Sequence, residues 1–257
     1  MLREVRSAYA MIPPSYKRPP ITEAVVEFRF QEPVDERVVD KVSARLAEQY
    51  PVHEPIRTVA IQVDVGNPQA TRASSSFAGH KRISLDGTRI VIVATTHITT
   101  SVLAPYPGWE AFQAVARENW KICKTILKYR ALSRIGVRYI NRIDIPRPAE
   151  NSVIRIEDYL NIFPGYPETD LPNMGAFTLQ LVTHLAAIAS SLIINVASVP
   201  SPLVDHTSLL LDIDIGRQGD VPQNERDLWK FVDSIRLMKN RVFESAITNT
   251  LRELFNR

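Results

Sequence analysis

The sequence lacks most of the residue patterns that signal a catalytic centre. Its only cysteine, Cys123, cannot form a disulfide within the chain, and we expect a reducing compartment. The nine glycines form no Gly-rich loop of the Walker or dinucleotide-binding type, and no Gly-x-Ser-x-Gly sequence is present. From the sequence we therefore assign no catalytic residue and no cofactor.

Histidine pairs and long apolar runs are also missing. No segment approaches the roughly 18 uncharged apolar residues of a membrane span, and the N-terminal residues lack the apolar core of a signal peptide. We therefore expect a cytoplasmic protein with no membrane contact. The five histidines have no spacing typical of a zinc site, so we assign no metal ligand and expect surface or structural roles for His53, His80, His97, His184 and His206.

The composition is that of a folded globular protein that leans basic. Hydrophobic residues make up 45% of the chain and charged residues 23%, which are ordinary values for a globular domain. The net charge of +3 tolerates an anionic ligand or a nucleic acid as a partner. It falls short of the concentrated basic stripe that a dedicated nucleic-acid-binding protein carries.

The first half of the chain predicts a strand, a helix and several further strands. Residues 1–20 are interpreted as a proline-rich arm, because four prolines between residues 13 and 20 disfavour a helix there. Alternating apolar residues predict a strand over 21–30, and Asp35 is placed to cap the helix that follows. A β-rich region then extends from 54 to 103.

A long amphipathic helix is predicted next, with a basic face. The basic face carries Lys121, Lys124 and Lys128 and lies opposite the apolar stripe of the helix. The simpler interpretation of these lysines is a solvated helix surface. Sequence-independent nucleic-acid binding through these lysines is the alternative. Apolar residues recur at steps of three and four and predict the buried stripe, which comprises Trp109, Phe112, Ala116, Trp120, Cys123 and Leu127.

A strand with two different faces opens the second half, over residues 132–146. Arg134, Arg138 and Arg142, which we call the arginine row, share one face, because successive side chains of a strand point to opposite sides. The other face is mainly apolar and is predicted to be buried; it carries Ile135, Val137, Tyr139, Asn141, Ile143 and Ile145.

The rest of the second half predicts a crossover, three strands and a final helix. The crossover spans the proline-rich residues 146–172 and includes a short helix at 154–163. Strands are predicted over 176–183, 190–199 and 208–215. The final helix is predicted to begin after Asn224 and to carry an apolar stripe across roughly 30 residues, which comprises Leu228, Phe231, Ile235, Met238, Val242, Ile247, Leu251 and Leu254.

This element order predicts an α+β fold. We expect antiparallel sheets with long amphipathic helices packed on one face. Residues 21–130 and 131–257 have a similar element order, so two pseudo-repeated βαβββα halves are predicted, joined in one compact unit.

The arginine row is the main candidate site in the sequence. Arg134 and Arg142 lie roughly 26 Å apart in an extended strand, so the row is too long to hold a single phosphate. Glu27, Asp212 and Asp214 are candidate partners, and neighbouring strands would let these carboxylates pair with the guanidiniums across the sheet. Internal ion pairing, a surface that binds a ligand or a partner, and catalysis all remain open.

An enzymatic alternative rests on the two aspartates. Asp212 and Asp214 share one strand face, an arrangement in which two carboxylates can hold a divalent cation. Glu27-Phe28-Arg29 matches a fragment of the Glu-x-Glu-x-Lys signature of triphosphate-tunnel enzymes. A metal-assisted enzyme that processes phosphates or nucleic acids is therefore the alternative to a binding protein.

Three segments carry a resemblance to a known family. PPITEAVVEFRF at 19–30, RIGVRYINRI at 134–143 and FESAIT at 243–248 resemble a sporadically distributed bacterial and archaeal family of uncharacterised proteins of about this length. The resemblance spans nearly the whole chain and implies no reaction, cofactor or substrate. The patchy distribution of that family implies genes that move between genomes, such as phage-defence or toxin-antitoxin modules.

The sequence therefore favours a non-enzymatic binding or assembly module. The expected partner is another protein or a second copy of this chain, with an anionic ligand or nucleic acid as the alternative.

Overall fold

A computed structural model describes residues 16–63, 71–147, 154–165 and 175–257. Within these ranges all nine strands belong to one sheet, in which every neighbouring pair is antiparallel and the order is β2-β3-β4-β5-β1-β6-β9-β8-β7. The α+β class predicted from the sequence is confirmed. The strands are β1 (Ile21–Phe30), β2 (Val52–Val63), β3 (Thr71–Ile83), β4 (Arg89–Ala94), β5 (His97–Leu103), β6 (Leu132–Pro146), β7 (Thr178–Leu185), β8 (Ser190–Val199) and β9 (His206–Gln218).

Four α-helices accompany the sheet in the described residues. They are α1 (Glu36–Arg45), α2 (Trp109–Leu127), α3 (Glu225–Ala246) and α4 (Asn249–Leu254). Two short 3₁₀ helices lie at Ile156–Asp158 and Ala186–Ile188. None of the described helices is long and apolar enough to cross a membrane.

The pairing of β1 with β6 lies at the centre of the sheet. β1 pairs with β5 on its other side, and β6 pairs with β9, so the β1–β6 pair connects the strands of residues 21–103 to those of residues 132–218. Phe28 lies opposite Ile135 in this register, and Ala24 lies opposite Tyr139. All four side chains are buried on the same face of the sheet, because directly paired residues share a face.

The alternation predicted for β6 is confirmed. Ile135, Val137, Tyr139, Asn141, Ile143 and Ile145 are all buried. On the opposite face Arg138 and Arg142 are exposed and Arg134 is half-buried. A strand with one apolar face can bury that face while its charged side chains remain on the other face, outside the core.

Aromatic side chains of two helices cover the buried face of β1. The ring of Trp120 from α2 lies 4.7 Å from that of Phe28, and the ring of Trp229 from α3 lies 5.6 Å from it, measured between centroids. The stripe predicted for the helix after Gly108 is confirmed, since its members Trp109, Phe112, Ala116, Trp120, Cys123 and Leu127 are all buried.

The predicted helix starts are confirmed, but the predicted length of the last helix is wrong. Asp35 caps α1 by accepting a hydrogen bond from the Arg37 amide, and Asn224 caps α3 by accepting one from the Asp227 amide. The final helix breaks at Ile247, whose backbone is extended and pairs with Leu160. Its continuation therefore restarts as the separate helix α4, which is capped by Thr248.

Other predicted elements differ in detail. The helix expected at 154–163 is wrong, because the structure has only the 3₁₀ turn at Ile156–Asp158. Asp86 and Gly87 lie in the turn between β3 and β4, where Gly87 has the positive φ of 72° that a glycine adopts readily. Residues 1–15 of the predicted arm, and residues 148–153 and 166–174 of the crossover, lie outside the described residues.

Two glycines make room for the first member of the arginine row. Gly136 of β6 lies directly opposite Gly216 of β9, and the Arg134 guanidinium crosses both. A Cβ atom on Gly216 would lie 2.7 Å from Nη2 of Arg134, and one on Gly136 would lie closer still to Nη1. The guanidinium can therefore lie flat against the sheet only where both side chains are absent.

We predict that Gly136→Ala destabilises the fold by about 1–3 kcal/mol, because the added methyl group displaces Arg134 from its carboxylate partners. Denaturant unfolding measures the effect. Gly165→Ala is the matched control, since a Cβ atom there meets nothing within 4 Å, and it should change stability by no more than about 0.5 kcal/mol. Equal stability of the two variants would contradict this account of the glycine pair.

Candidate functional site

A cavity of about 520 Å³ lies against the buried face of β6. Its walls come from three separate segments: the extended residues that precede β1, the loop before α2, and the C-terminal half of α3. The residues that line it include Tyr16, Lys17, Pro19, Tyr106, Trp109, Tyr139, Asn141, Arg236, Lys239, Phe243 and Glu244.

The extended segment is held in place by contacts with the C-terminal helices. The Tyr16 hydroxyl donates to the Glu244 carboxylate at 2.8 Å, and the Tyr16 ring packs edge-on against Phe255 with centroids 5.3 Å apart. Arg252 also donates to Glu244, through Nε at 3.1 Å. Burial and the Glu244 carboxylate raise the pKa of Tyr16, so this hydroxyl keeps its proton and the link persists at neutral pH.

Two tyrosine hydroxyls form a pair at the cavity. The hydroxyl oxygens of Tyr106 and Tyr139 lie 3.0 Å apart. Burial raises the pKa of Tyr106 to about 12 and also raises that of Tyr139, so both hydroxyls stay protonated. Only one of the two hydroxyl protons lies between the two oxygens. The other proton therefore remains available for a hydrogen bond to an oxygen atom of a ligand.

Lys239 places a buried amine at the same cavity. The residue is only 7% exposed, and its Nζ lies 3.7 Å from the centroid of the Tyr139 ring. It makes no salt bridge with any residue that the structure describes. Burial, and then the positive charge of Arg236, lower the pKa of Lys239 to about 7, whereas Glu244 acts in the opposite direction.

The aromatic contact of Lys239 does not reverse this shift. An ammonium over a tyrosine ring gains about 1–2 kcal/mol, which favours the charged amine. Lowering the pKa from 10.5 to about 7 corresponds to at most about 5 kcal/mol in favour of the neutral amine. Burial therefore outweighs the aromatic contact, and the pKa of Lys239 stays below its ordinary value.

Arg236 places a guanidinium one turn before Lys239 on α3. It lies over the Trp109 ring, with the guanidinium carbon 5.6 Å from the ring centroid. Its nearest carboxylate is Glu110, at 3.9 Å, which is at the outer limit of an ion pair. The Trp109 indole donates to Asp233 at 3.1 Å, which fixes the ring that supports the guanidinium. Arg236 therefore keeps donors for an anion.

The arrangement combines three chemical capacities within one cavity. Arg236 can hold a carboxylate or a phosphate through its forked donors. The Tyr106–Tyr139 pair can donate to a neutral oxygen, and the Lys239 amine can accept a hydrogen bond or act as a nucleophile when uncharged. Sequence reasoning singled out none of these residues as a site.

The signal that would have found Lys239 is its position on the apolar stripe of α3. It lies four residues after Ile235 and four before Phe243, both of which are buried. The sequence placed Met238 and Val242 on this stripe, and both are half-buried and pack against the core, but the neighbouring Lys239 is more deeply buried than either. A lysine at a buried helix position is unusual unless it has a specific role.

The structure pairs Arg134 with carboxylates on both sides. Arg134 contacts Glu27 of β1 at 2.5 Å and both oxygens of Asp214 of β9 at 3.0 Å. Burial raises the pKa of Asp214, and the positive charge of Arg134 opposes that rise. This is the cross-strand pairing that the sequence predicted for the case in which these strands are neighbours.

The other two arginines of the row are also paired. Arg138 donates through Nε and Nη2 to the two oxygens of Asp212, each at 2.8 Å, and Asn195 donates to the same carboxylate at 3.0 Å. Asp212 is only 2% exposed. Arg142 contacts Asp144 at 3.2 Å. The sheet itself thus supplies a carboxylate to every arginine of the row.

The remaining sequence candidates are dispersed. Lys121 and Lys124 are exposed on α2, Lys128 is exposed just after its last residue, and Lys124 contacts Glu225 of α3 at 2.7 Å. Across the described ranges no three His, Cys, Asp or Glu side chains are grouped so as to hold a metal ion.

Two of the five histidines lie in contact in the folded protein. His53 Nε2 lies 2.9 Å from His80 Nδ1, and His80 Nε2 lies 2.7 Å from Asp40. The sequence could not show this group, because it forms only when β2 pairs with β3 and α1 packs beside them. His53 is exposed at the outer end of the group.

Comparisons with known proteins add no family. The chain matches no protein-family model and no curated protein. Among solved structures it is similar to the crystal structure of DynU16, a protein from the dynemicin biosynthetic locus, at 15% identity and a TM-score of 0.21. That match covers 86% of this chain and 96% of the other. A likeness at this TM-score supports no statement about function.

We predict that Arg138→Ala destabilises the protein by about 3 kcal/mol, because it leaves the buried Asp212 carboxylate without its main partner. Arg142→Ala should cost no more than about 1 kcal/mol, since the Asp144 carboxylate is more exposed than that of Asp212 and keeps a hydrogen bond from Ser208. Urea unfolding compares the two variants. Combining Arg138→Met with Asp212→Leu should restore most of the loss, and a double variant less stable than Arg138→Ala would contradict this role.

We predict that Lys239→Met stabilises the protein most below pH 7 and least near pH 10. Between the folded pKa of about 7 and the unfolded value of 10.5, the unfolded state binds more protons, so wild-type stability rises with pH in this window. The unfolding free energy of Lys239→Met exceeds that of the wild type by at most about 5 kcal/mol, and this difference decreases as the pH rises through the same window.

Urea unfolding at about pH 6, 8 and 10 measures this difference. Lys230→Met is the control, because Lys230 is exposed on the same helix, and its effect should stay within about 0.5 kcal/mol at every pH. A stabilisation by Lys239→Met that is constant or grows with pH would contradict a lowered pKa.

Proposed function

We propose that this protein binds a small organic anion in the cavity between β6, α3 and the segment before β1. The observation that carries the proposal is the placement of Arg236, Lys239 and the Tyr106–Tyr139 hydroxyl pair around one cavity of about 520 Å³. This volume lies within the range of small-molecule sites, which combine apolar walls with a few placed polar groups.

The balance of charge favours an anion. Glu244 is the carboxylate among the lining residues, and it already accepts hydrogen bonds from Tyr16 and Arg252. Arg236 has only a distant carboxylate at 3.9 Å. A ligand carboxylate or phosphate would therefore gain an unshared guanidinium without displacing a strong internal ion pair.

The aromatic side chains favour a ligand with an apolar body. Tyr16, Tyr106, Trp109 and Phe243 line the cavity together with Pro19. Rigid aromatic walls bind planar or apolar groups with little loss of side-chain entropy. We therefore expect an organic acid that carries an aromatic or aliphatic body and an oxygen substituent within reach of the tyrosine pair.

We predict that the protein binds phenyllactate, a probe that has a carboxylate, a hydroxyl and an aromatic ring. Isothermal titration calorimetry measures the affinity. Arg236→Met should weaken binding about tenfold or more, because an anion loses its charged donor.

Lys230→Met removes a positive charge from the solvent-facing side of α3 and should leave the affinity unchanged. Phenylpropanol, which lacks the carboxylate, should bind more weakly than phenyllactate. No binding of phenyllactate, or equal binding by the wild type and Arg236→Met, would contradict the proposal.

A separate proposal concerns the architecture of the chain. We propose that residues 21–130 and 131–257 are pseudo-repeated α+β halves with their long helices on one face of the sheet. It is supported by the pairing of the first strand of each half with the last, β1 with β5 and β6 with β9, before a long helix.

Several expectations from the sequence stay predictions. They are partner binding or assembly through the arginine row, nucleic-acid binding through Lys121, Lys124 and Lys128, metal-assisted chemistry at Asp212 and Asp214, and membership of a mobile defence system. The ion pairs of the row make it the less favourable place for an anion, because a ligand there would have to displace Glu27, Asp212 or Asp214.

A further inference from the structure

We infer that Lys239 is a nucleophile that forms an imine with the ligand, and that the ligand class is the 2-oxo acids. This inference rests on the proposed binding of an organic anion and goes beyond it by naming a covalent step. It assigns the carbonyl carbon of the ligand to Lys239, its carbonyl oxygen to the tyrosine pair, and its carboxylate to Arg236.

The geometry separates Lys239 from an ordinary surface lysine. Its side chain is buried, lies over the Tyr139 ring and lines the cavity. Lys124 on α2 shows the contrast, because its side chain is exposed and its amine lies 2.7 Å from the Glu225 carboxylate. A salt bridge of that kind would keep the amine protonated and block its lone pair, and Lys239 has none with the described residues.

Charged and titratable groups around Lys239 favour the reactive form. Arg236 on the same helix repels a second positive charge, and burial disfavours an ammonium ion. Glu244 acts in the opposite direction, but Tyr16 and Arg252 already occupy its oxygens. Tyr106 and Tyr139 remain neutral, so they add no negative charge that would hold a proton on the amine.

The bond changes balance without an oxidant or a reductant. The Lys239 lone pair forms a bond to the carbonyl carbon, and the electron pair of the carbonyl π bond moves to oxygen, which takes a proton to give a carbinolamine. That proton comes from the nitrogen, which keeps one proton in the carbinolamine. The nitrogen lone pair then forms the C=N bond as the C–O bond breaks, and the last nitrogen proton passes to the departing oxygen, so that water leaves and the imine remains. A hydrogen bond from the tyrosine pair polarises the carbonyl and supports the negative charge that develops on its oxygen.

Reductive trapping with phenylpyruvate tests the inference. Sodium borohydride adds hydride to an imine carbon and makes the link to the lysine permanent, so intact-mass spectrometry should show one adduct per chain. Peptide mapping should place that adduct on Lys239. Excess phenyllactate should suppress it, because this hydroxy acid occupies the cavity and has no carbonyl group.

Two variants keep the outcome clear. Lys239→Met should lose the adduct while circular dichroism and urea unfolding show that it is folded, whereas Lys230→Met should form the adduct like the wild type. An adduct spread over surface lysines, or one that persists in Lys239→Met, would overturn the inference.

The two proposals fail in different ways. If the wild type binds phenyllactate but phenylpyruvate leaves no adduct after borohydride, the imine inference is wrong and the anion site stands. If neither probe binds, both proposals are wrong. Phenylpyruvate that binds with the affinity of phenyllactate and gives no adduct would assign Lys239 a hydrogen-bonding role instead of a covalent one.

Discussion

The antiparallel pairing of β1 with β6 is the contact on which the rest of the fold depends. It joins five strands on one side to four on the other, within the described residues, and each of its two strands is apolar on one face and charged on the other. The apolar faces need the helices as cover. The charged faces bring Glu27 beside Arg134 and so supply the negative charge that a half-buried guanidinium requires.

The alternation of apolar and charged residues predicted this central region well, because successive side chains point to opposite faces in any β-strand. The predicted faces of β6 and the stripe of α2 are confirmed. Prediction failed where a boundary depends on a distant partner. The last helix ends at Ile247 because that residue pairs with Leu160, and Thr248 then caps the next helix, so a continuous apolar stripe in the sequence concealed two elements.

The cavity was harder to predict than the sheet because its chemistry depends on burial. Lys239 is one of eight lysines in the sequence, and only the position of α3 against β6 makes its amine unusual. The carboxylate partners of the arginine row were predictable, since strand parity placed them on one face. The contact of His53 with His80 was not, because 27 residues separate them and only the β2–β3 register brings them together.

The wall of the cavity is shared between residues 16–21 and residues 236–244, which are more than two hundred positions apart in the chain. Neither half of the protein, produced alone, would carry a complete site. A ligand in the cavity would touch the first and last described segments at once, and so would act as a tether that resists separation of the two ends of the fold. The hydrogen bond from Tyr16 to Glu244 already performs this task without a ligand.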